Sequence, residues 1–299
     1  MAMAFPDPGF VDLHIHSTAS DGSLSPLEII HLATQLGLRA IAITDHDTIE
    51  GSAEALSQSL SSLEILSGIE ISADVPSGTM HILGYLIELD DPSLTQTLKK
   101  VQEARAHRNV GIIKKLQDLG VDITHEDVLG VSGRGQVGRP HIAQVLVQKG
   151  VVQSFGEAFL KYLKKWGPAY VPRYRLQPAE AIQMILRAGG VPVLAHPYTL
   201  AAKDEAELES SLRELKQAGL MGMEVYYSEH RPERTALFER LARRQDLLMT
   251  GGTDFHGAAK PEVQIGIGRG DLRLSYRLVE KLKEAKGRDR PKRPLVDRD

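Results

Sequence analysis

Seven short apolar runs, separated by stretches with helical patterning, constrain this chain more than any other feature of it. They are Phe10 to Ile15, Ala40 to Thr44, Leu63 to Ile69, Met80 to Leu86, Val191 to Ala195, Gly222 to Val225 and Leu247 to Thr250. Short strands alternating with helices are the pattern of repeated βα units around a largely parallel sheet. The first helix is well marked: Ser25 can cap it, Pro26 takes its first position, Glu28 closes a capping box and Gly37 follows its end. Further helices are expected over Asp204 to Gln217, Pro232 to Gln245 and Ser275 to Lys286. The strand count favours a barrel-like α/β body over an open doubly wound sheet, but periodicity alone does not choose between them.

Between Thr95 and Pro178 this rhythm stops. Helices are expected over Thr95 to Leu119, Arg139 to Lys149 and Ser154 to Leu163, with little strand character between them, so the stretch reads as a helical insertion. The charge changes with it. Thr95 to Arg175 holds fourteen Lys and Arg against six Asp and Glu, a charge of +8, and the net charge of -3 leaves -11 for the rest. An acidic body beside a basic segment is what a metal-carboxylate site next to a polyanion-binding surface produces. The expected organisation is a discontinuous body of residues 1–94 and 179–286, a substrate-capping insertion of residues 95–178, and a charged tail of residues 287–299.

The polar residues collect where strands should end. VDLHIHSTASDG places His14 and His16 two apart on a strand, hence on one face, with Asp21 in the next loop. Asp45, His46 and Asp47 follow the second run, Glu70 ends the third, His81 lies in the fourth, His196 follows the fifth, and Asp254 and His256 follow the last. Strands that point their ends into a common crevice are how α/β folds assemble sites from distant sequence. The chain has no cysteine, so any metal is held by nitrogen and oxygen, a donor set suited to manganese, iron or zinc. His14, His16, Asp21, His46, Glu70, His81, His196, Asp254 and His256 are more ligands than one ion needs, which implies a multinuclear site bridged by a carboxylate.

The order DLHIHSTASDG, ITDHD, SGIEIS, a following strand histidine, AHPY and GGTDFHG resembles the polymerase-and-histidinol-phosphatase (PHP) superfamily of metal-dependent phosphoesterases. With its helical insertion the chain looks most like the 3',5'-nucleoside bisphosphate phosphatase / RNase AM subgroup. That resemblance implies a distorted seven-stranded (β/α)7 barrel holding three divalent ions, manganese first and iron or zinc as alternatives. His14, His16, Glu70 and Asp254 would hold one. Glu70 would bridge to a second held by His81 and His196, and Asp21, His46 and His256 would hold the third. The implied reaction removes the 3'-phosphate of nucleoside 3',5'-bisphosphates. The alternatives are a 5'-to-3' exonuclease on short RNA or DNA and, outside enzymes, a nucleic-acid-binding or polymerase-associated metal module.

Substrate contacts are expected from arginine, whose planar fork matches phosphate. VSGRGQVGRPHIAQ offers Arg134, Arg139 and His141 in a Gly-rich loop entering a helix, and YYSEHR offers Tyr226 or Tyr227, His230 and Arg231, with Glu224 just before as a supporting residue. His230 or His256 is the candidate proton donor to the leaving oxygen. The sequence has no Walker motif. No apolar run approaches the roughly eighteen residues of a membrane span, and MAMAFPDPGF lacks the basic and apolar regions of a signal peptide. A cytoplasmic enzyme is therefore expected, with a small phosphorylated nucleotide or short single-stranded nucleic acid as partner and no obligate protein partner.

Overall fold

The computed structural model describes residues 9–58, 62–132, 137–172, 174–270 and 272–288. Most of the expected charged tail lies outside these residues, as does Arg134. The predicted helix start forms: Glu28 N donates to Ser25 Oγ at 3.3 Å, Ser25 N donates to Glu28 Oε2 at 2.7 Å, and Pro26 opens α1 (Pro26–Gln35). Ile29, Ile30 and Ala33 of α1 pack on Ile15, Ile41 and Ile43 at the ends of β1 (Phe10–Ile15) and β2 (Ala40–Ile43). After β2 come α2 (Glu50–Leu56), β3 (Glu64–Leu66), β4 (Gly68–Ala73) and β5 (Met80–Tyr85). The helical stretch holds α3 (Pro92–Asp118), α4 (His125–Ser132), α5 (Arg139–Gln148), α6 (Phe155–Ala158) and a π-turn over Phe159–Leu163. The chain returns through α7 (Pro178–Arg187), β6 (Val191–Leu194), α8 (Glu205–Gln217), β7 (Gly222–Tyr227), α9 (Pro232–Arg244), β8 (Leu248–Gly252), β9 (Leu274–Ser275) and α10 (Arg277–Arg288).

These strands form two open sheets, in the orders β3-β2-β1-β9 and β4-β5-β6-β7-β8, and not the expected closed seven-stranded barrel. Two seams account for the difference. At the first, the apolar run expected as one strand breaks at Ser67. Its first half pairs with β2 and its second half swings away to pair antiparallel with β5. Gly68 permits the swing, since a Cβ there would lie 2.7 Å from Ile43 O, and a lone His46–Glu70 bridge is left between the sheets. At the second seam, β9 occupies the edge of β1 at Phe10 and Val11, and the chain leaving β8 joins β1 through the isolated Ile15–Phe255 bridge and through Thr253, whose N and Oγ1 donate to Asp12 at 2.9 and 2.6 Å. The antiparallel β4-β5-β6 pairs also depart from a simple βα repeat.

The facing sides of both sheets share one core, with Val11, Leu13 and Leu66 from one and Leu83, Tyr85 and Val193 from the other. Helices α7, α8 and α9 cover the outer face of the second sheet. A further cluster, from Ile112 to Ala169, belongs entirely to the helical stretch. Helix α3, about 40 Å long at the usual rise, joins the two: Leu94, Leu98 and Val101 pack on the second sheet, whereas Ile112, Ile113 and Leu116 pack in the helical cluster. Among the described residues no helix is long and apolar enough to cross a membrane.

Candidate metal centre

The nine histidines and carboxylates singled out in the sequence converge where the two sheets meet. Glu70, fully buried on β4, is the hub. Its Oε1 lies 2.9 Å from His81 Nδ1, 3.0 Å from His196 Nε2 and 3.5 Å from His14 Nε2, and its Oε2 lies 2.9 Å from His46 Nδ1 and 3.2 Å from His16 Nε2. Asp254 Oδ1 faces His16 Nε2 at 3.2 Å and His14 Nε2 at 3.5 Å. Asp21 Oδ1 faces His256 Nε2 at 3.3 Å, and its Oδ2 is 4.0 Å from His46 Nε2. Three groups are compact enough to hold an ion: His16, Asp21, His46 and His256; His14, His16 and Glu70; and His46, Glu70 and His81.

The donor set fits divalent ions on a test independent of ligand counting. His14 Nε2, His16 Nε2, His46 Nδ1 and Glu70 Oε2 are buried without a hydrogen-bond partner, although charged neighbours stand 2.9 to 3.5 Å away. The atoms crowd one space without being aligned to bond each other. Native interiors rarely leave such groups unmet, and ions held in the three groups would satisfy all four.

Supporting residues aim the ligands. Glu224, fully buried on β7, accepts from His14 Nδ1 at 2.9 Å and from the His196 backbone N–H at 2.8 Å, which leaves His14 Nε2 facing the centre. His256 Nδ1 donates to Asp254 O at 2.8 Å and so frees its Nε2. Asp254 Oδ2 accepts from Tyr227 Oη at 2.8 Å and from Lys260 Nζ at 2.5 Å, so Oδ1 is the oxygen turned inward. Asp45 ties down the loop after β1, accepting from Ser17 N at 2.7 Å, Ser17 Oγ at 2.6 Å and Ser20 Oγ at 2.6 Å. Asp47, His196 and Asp254 have φ of +54°, +24° and +56°, a left-handed backbone that non-glycine residues keep only where the surroundings impose it.

The electrostatics are those of carboxylates surrounded by imidazole. Burial would raise Glu70, but His81, His46 and His14 hold it well below the carboxylate range. Burial opposes charge on His16 as well, yet Asp254 and Glu70 push it up to about 10. His81 is driven down to about 4 by burial, helped by His46 and His196 against Glu70.

The cavity over this centre has a volume of about 270 Å³ and is lined also by Thr79, Tyr198, Thr199, Tyr227 and Lys260. Lys260 and Tyr198 were not singled out by sequence, where neither carries a metal-ligand signal. The structure puts Tyr227 on the cavity wall and sends Tyr226 Oη to Glu239 Oε1 at 2.9 Å. His230 stands behind the wall: its Nδ1 donates to Val225 O at 2.8 Å and its ring packs on Tyr198, Tyr227 and Phe238. Arg231 is exposed at the start of α9. Arg139 and His141 sit in the helical stretch with three arginines that sequence reading passed over. Burial lowers Arg108 to about 9, assisted by Arg139, Arg175 and Arg105, and lowers Arg139 as well, assisted by Arg175 and Arg105. Arg105 ion-pairs with Asp47, and its Nε, like Arg175 Nε, is buried without a partner. The Arg105–Asp47 ion pair ties this cluster to the loop that carries His46, next to the metal centre.

Such a site defines a metal-dependent hydrolase of phosphoesters. The PHP domain family matches residues 12–167, more than half of the chain, and the chain belongs to that family. It is 35% identical to a 5'-3' exoribonuclease of Haemophilus influenzae, over 82% of this chain and 89% of that one. It is 34% identical to a 5'-3' exoribonuclease of Escherichia coli, over 85% and 87%. It is also 31% identical to a 3',5'-nucleoside bisphosphate phosphatase of Chromobacterium violaceum, over 86% and 90%. Among solved structures, an amidohydrolase from Chromobacterium violaceum with bound sulfate superposes with a TM-score of 0.80 at 30% identity, covering 91% of this chain and 96% of that one.

Proposed function

We propose that this hydrolase is a 5'-to-3' exoribonuclease that releases nucleoside 5'-monophosphates from short single-stranded RNA. The observation that carries the reading is the arginine cluster of the helical stretch, with Arg108 buried and Arg105, Arg139 and Arg175 half-buried, tied through the Arg105–Asp47 ion pair to the loop of His46. Likeness to the Haemophilus and Escherichia 5'-3' exoribonucleases supports it. A metal module without catalysis has no support in this geometry or among these relatives.

The bond broken is P–O3' of the first nucleotide. Water adds to phosphorus, the 3'-oxygen leaves and takes up a proton, and the shortened chain keeps a new 5'-phosphate. In this reading three divalent ions, of manganese, iron or zinc, are held by His14, His16, Glu70 and Asp254, by Glu70, His81 and His196, and by Asp21, His46 and His256. So held, they would polarise the phosphoryl oxygens and make water nucleophilic near neutral pH. The chain's own residues do the rest. Arg139, with Arg108, Arg175, His141 and Arg134 of the same loop, binds the 5'-terminal phosphate and so sets the distance to the cleaved bond. Tyr198 and Tyr227 flank the first nucleoside, and Lys260 adds positive charge at the cavity wall. With His256 committed to an ion and His230 Nδ1 to Val225 O, solvent protonates the leaving oxygen. Residues 95–178 act as the cap over residues 1–94 and 179–286.

The second reading, a 3',5'-bisphosphate phosphatase, is favoured by likeness to the Chromobacterium phosphatase. It breaks the same P–O3' bond with no chain on phosphorus, so it needs no further chemistry. Manganese-supplemented turnover of a 5'-phosphorylated oligoribonucleotide beside 3'-phosphoadenosine 5'-phosphate separates the two. Release of mononucleotides with comparable or higher kcat/KM supports the exonuclease, and release of inorganic phosphate from the bisphosphate alone defeats it.

A further inference from the structure

The chain's only tryptophan is not in a core. Trp166 is 83% exposed, more than any other large apolar side chain among the described residues. A rigid turn holds it out: its φ is +64°, Gly167 N donates to Lys164 O at 2.9 Å, Ala169 N to Tyr162 O at 3.1 Å, and Tyr170 N to Gly167 O at 2.9 Å. The Tyr170 ring lies beside it, with centroids 5.6 Å apart, and Tyr174 is 52% exposed further along. Residues 158–176 contain five Lys and Arg, five aromatic residues and no Asp or Glu. A lone exposed ring needs no explanation by itself; what marks this one is its second ring and the cations around it.

The segment is fastened to the rim of the metal cavity. Lys165 Nζ donates to Pro76 O at 2.9 Å, in the loop that leads to the cavity-lining Thr79, and Asp74 N donates to Leu176 O at 2.8 Å just beyond β4, the strand of Glu70. We infer that Trp166, with Tyr170, is a stacking platform for the bases of single-stranded RNA whose 5'-end is in the cavity, with Lys161 and Lys164 facing its phosphates. The inference rests on the exoribonuclease reading for its orientation. It rests on charge and aromatic spacing for its occupant: stacking is tolerant of base identity, and a segment with interleaved cations and no acid of its own suits a polyanion better than a protein or a second copy of the chain.

The lone tryptophan makes the test direct. Full-length protein freed of metal is titrated with a single-stranded oligouridylate while its intrinsic fluorescence is read. Saturable quenching that weakens with added salt is expected, and an unchanged signal overturns the platform. In parallel, metal-loaded wild type, Trp166→Ala and Trp166→Phe are compared on 5'-phosphorylated RNAs of increasing length and on 3'-phosphoadenosine 5'-phosphate. Trp166→Ala should raise KM roughly five- to 150-fold on the longer RNAs, the range for one lost base stack. Trp166→Phe should recover much of that, and the bisphosphate should be unaffected. An equal loss on every substrate overturns the inference by making Trp166 part of the fold or of the catalytic cavity. A change in oligomeric mass with unchanged length dependence overturns it in favour of an interface between copies. Quenching without RNA turnover by wild type would uphold the platform and defeat the exoribonuclease reading.

Discussion

Replacing Glu224 by Gln keeps its shape and exchanges one acceptor for a donor where both oxygens are in use. The His196 backbone N–H, 2.8 Å away, cannot change its role, so the amide oxygen stays there and the amide NH2 turns to His14 Nδ1. His14 can accept that hydrogen bond only by carrying its own proton on Nε2, the atom directed at the centre. Were the amide reversed, a buried donor would face a buried N–H, at a cost of about 1–3 kcal/mol. Either arrangement should weaken metal binding by roughly 10- to 100-fold, the usual effect of disturbing a residue that orients a ligand, or about 1.4–2.8 kcal/mol. Glu224→Ala behaves differently. It leaves His14 free to choose the useful tautomer but empties a fully buried position, so it should lower Tm more and metal affinity less than Glu224→Gln. Manganese competition against a chromophoric chelator, read beside thermal unfolding, gives both orders. Metal affinity within twofold of wild type for Glu224→Gln would show that this carboxylate does not set the His14 tautomer.

Glu70→Gln removes a carboxylate shared by five imidazoles, so metal content by elemental analysis and turnover should fall together by at least tenfold; a fall in turnover at full metal content would place Glu70 in the chemistry instead. His16 is raised to about 10 from 6.5, so its protonation stabilises the metal-free fold fully below pH 6.5 and that contribution is lost as pH rises through 10. The metal-free protein should therefore lose Tm between pH 7 and 10, and manganese binding near pH 7.5 should release protons, as calorimetry in buffers of different ionisation enthalpy would record; no release would mean that His16 is already neutral. Arg139→Ala should cost about ten- to a hundredfold in kcat/KM on 5'-phosphorylated RNA, equivalent to one charge-assisted hydrogen bond of about 1.5–3 kcal/mol, and little on 5'-hydroxyl RNA. Equal losses on both would remove it from the terminal phosphate.

The metal centre was legible in the sequence because each ligand sits in a short motif in or just after a strand, where position along the chain nearly fixes position in space, although Glu70 proves to lie within β4 and not at its end. His14 and His16 needed only the two-residue period of a strand. The sheets were not legible, since their closure depends on where Ser67 breaks a continuous apolar run and on which edge the two-residue β9 takes, both decided by tertiary packing. The choice between Tyr226 and Tyr227 failed for a local reason. Strand β7 carries an irregularity between Glu224 and Tyr226 in its pairing with β8, so the period that puts Glu224 inward brings Tyr227 to the cavity with it, and Tyr226 turns out. Arg105 and Arg108, three apart on α3, read from sequence as an ordinary solvated helical face. Only the neighbouring Arg139 and Arg175 reveal them as a cluster, with Arg108 buried inside it.

The seams between the two open sheets give the ligands a mechanical role. His14, His16, Asp21 and His46 come from the first sheet and its loops, whereas Glu70, His81, His196, Asp254 and His256 come from the second, and at each seam a lone bridge joins the strands. Ions held by both sets would rivet one half of the body to the other, so the centre is a clasp as well as a catalyst. A descendant of this chain that gave up the chemistry could not simply let the ligands drift. It would inherit a row of buried imidazoles and carboxylates beside the core that the two sheets share, groups left unmet without an ion unless they are replaced together.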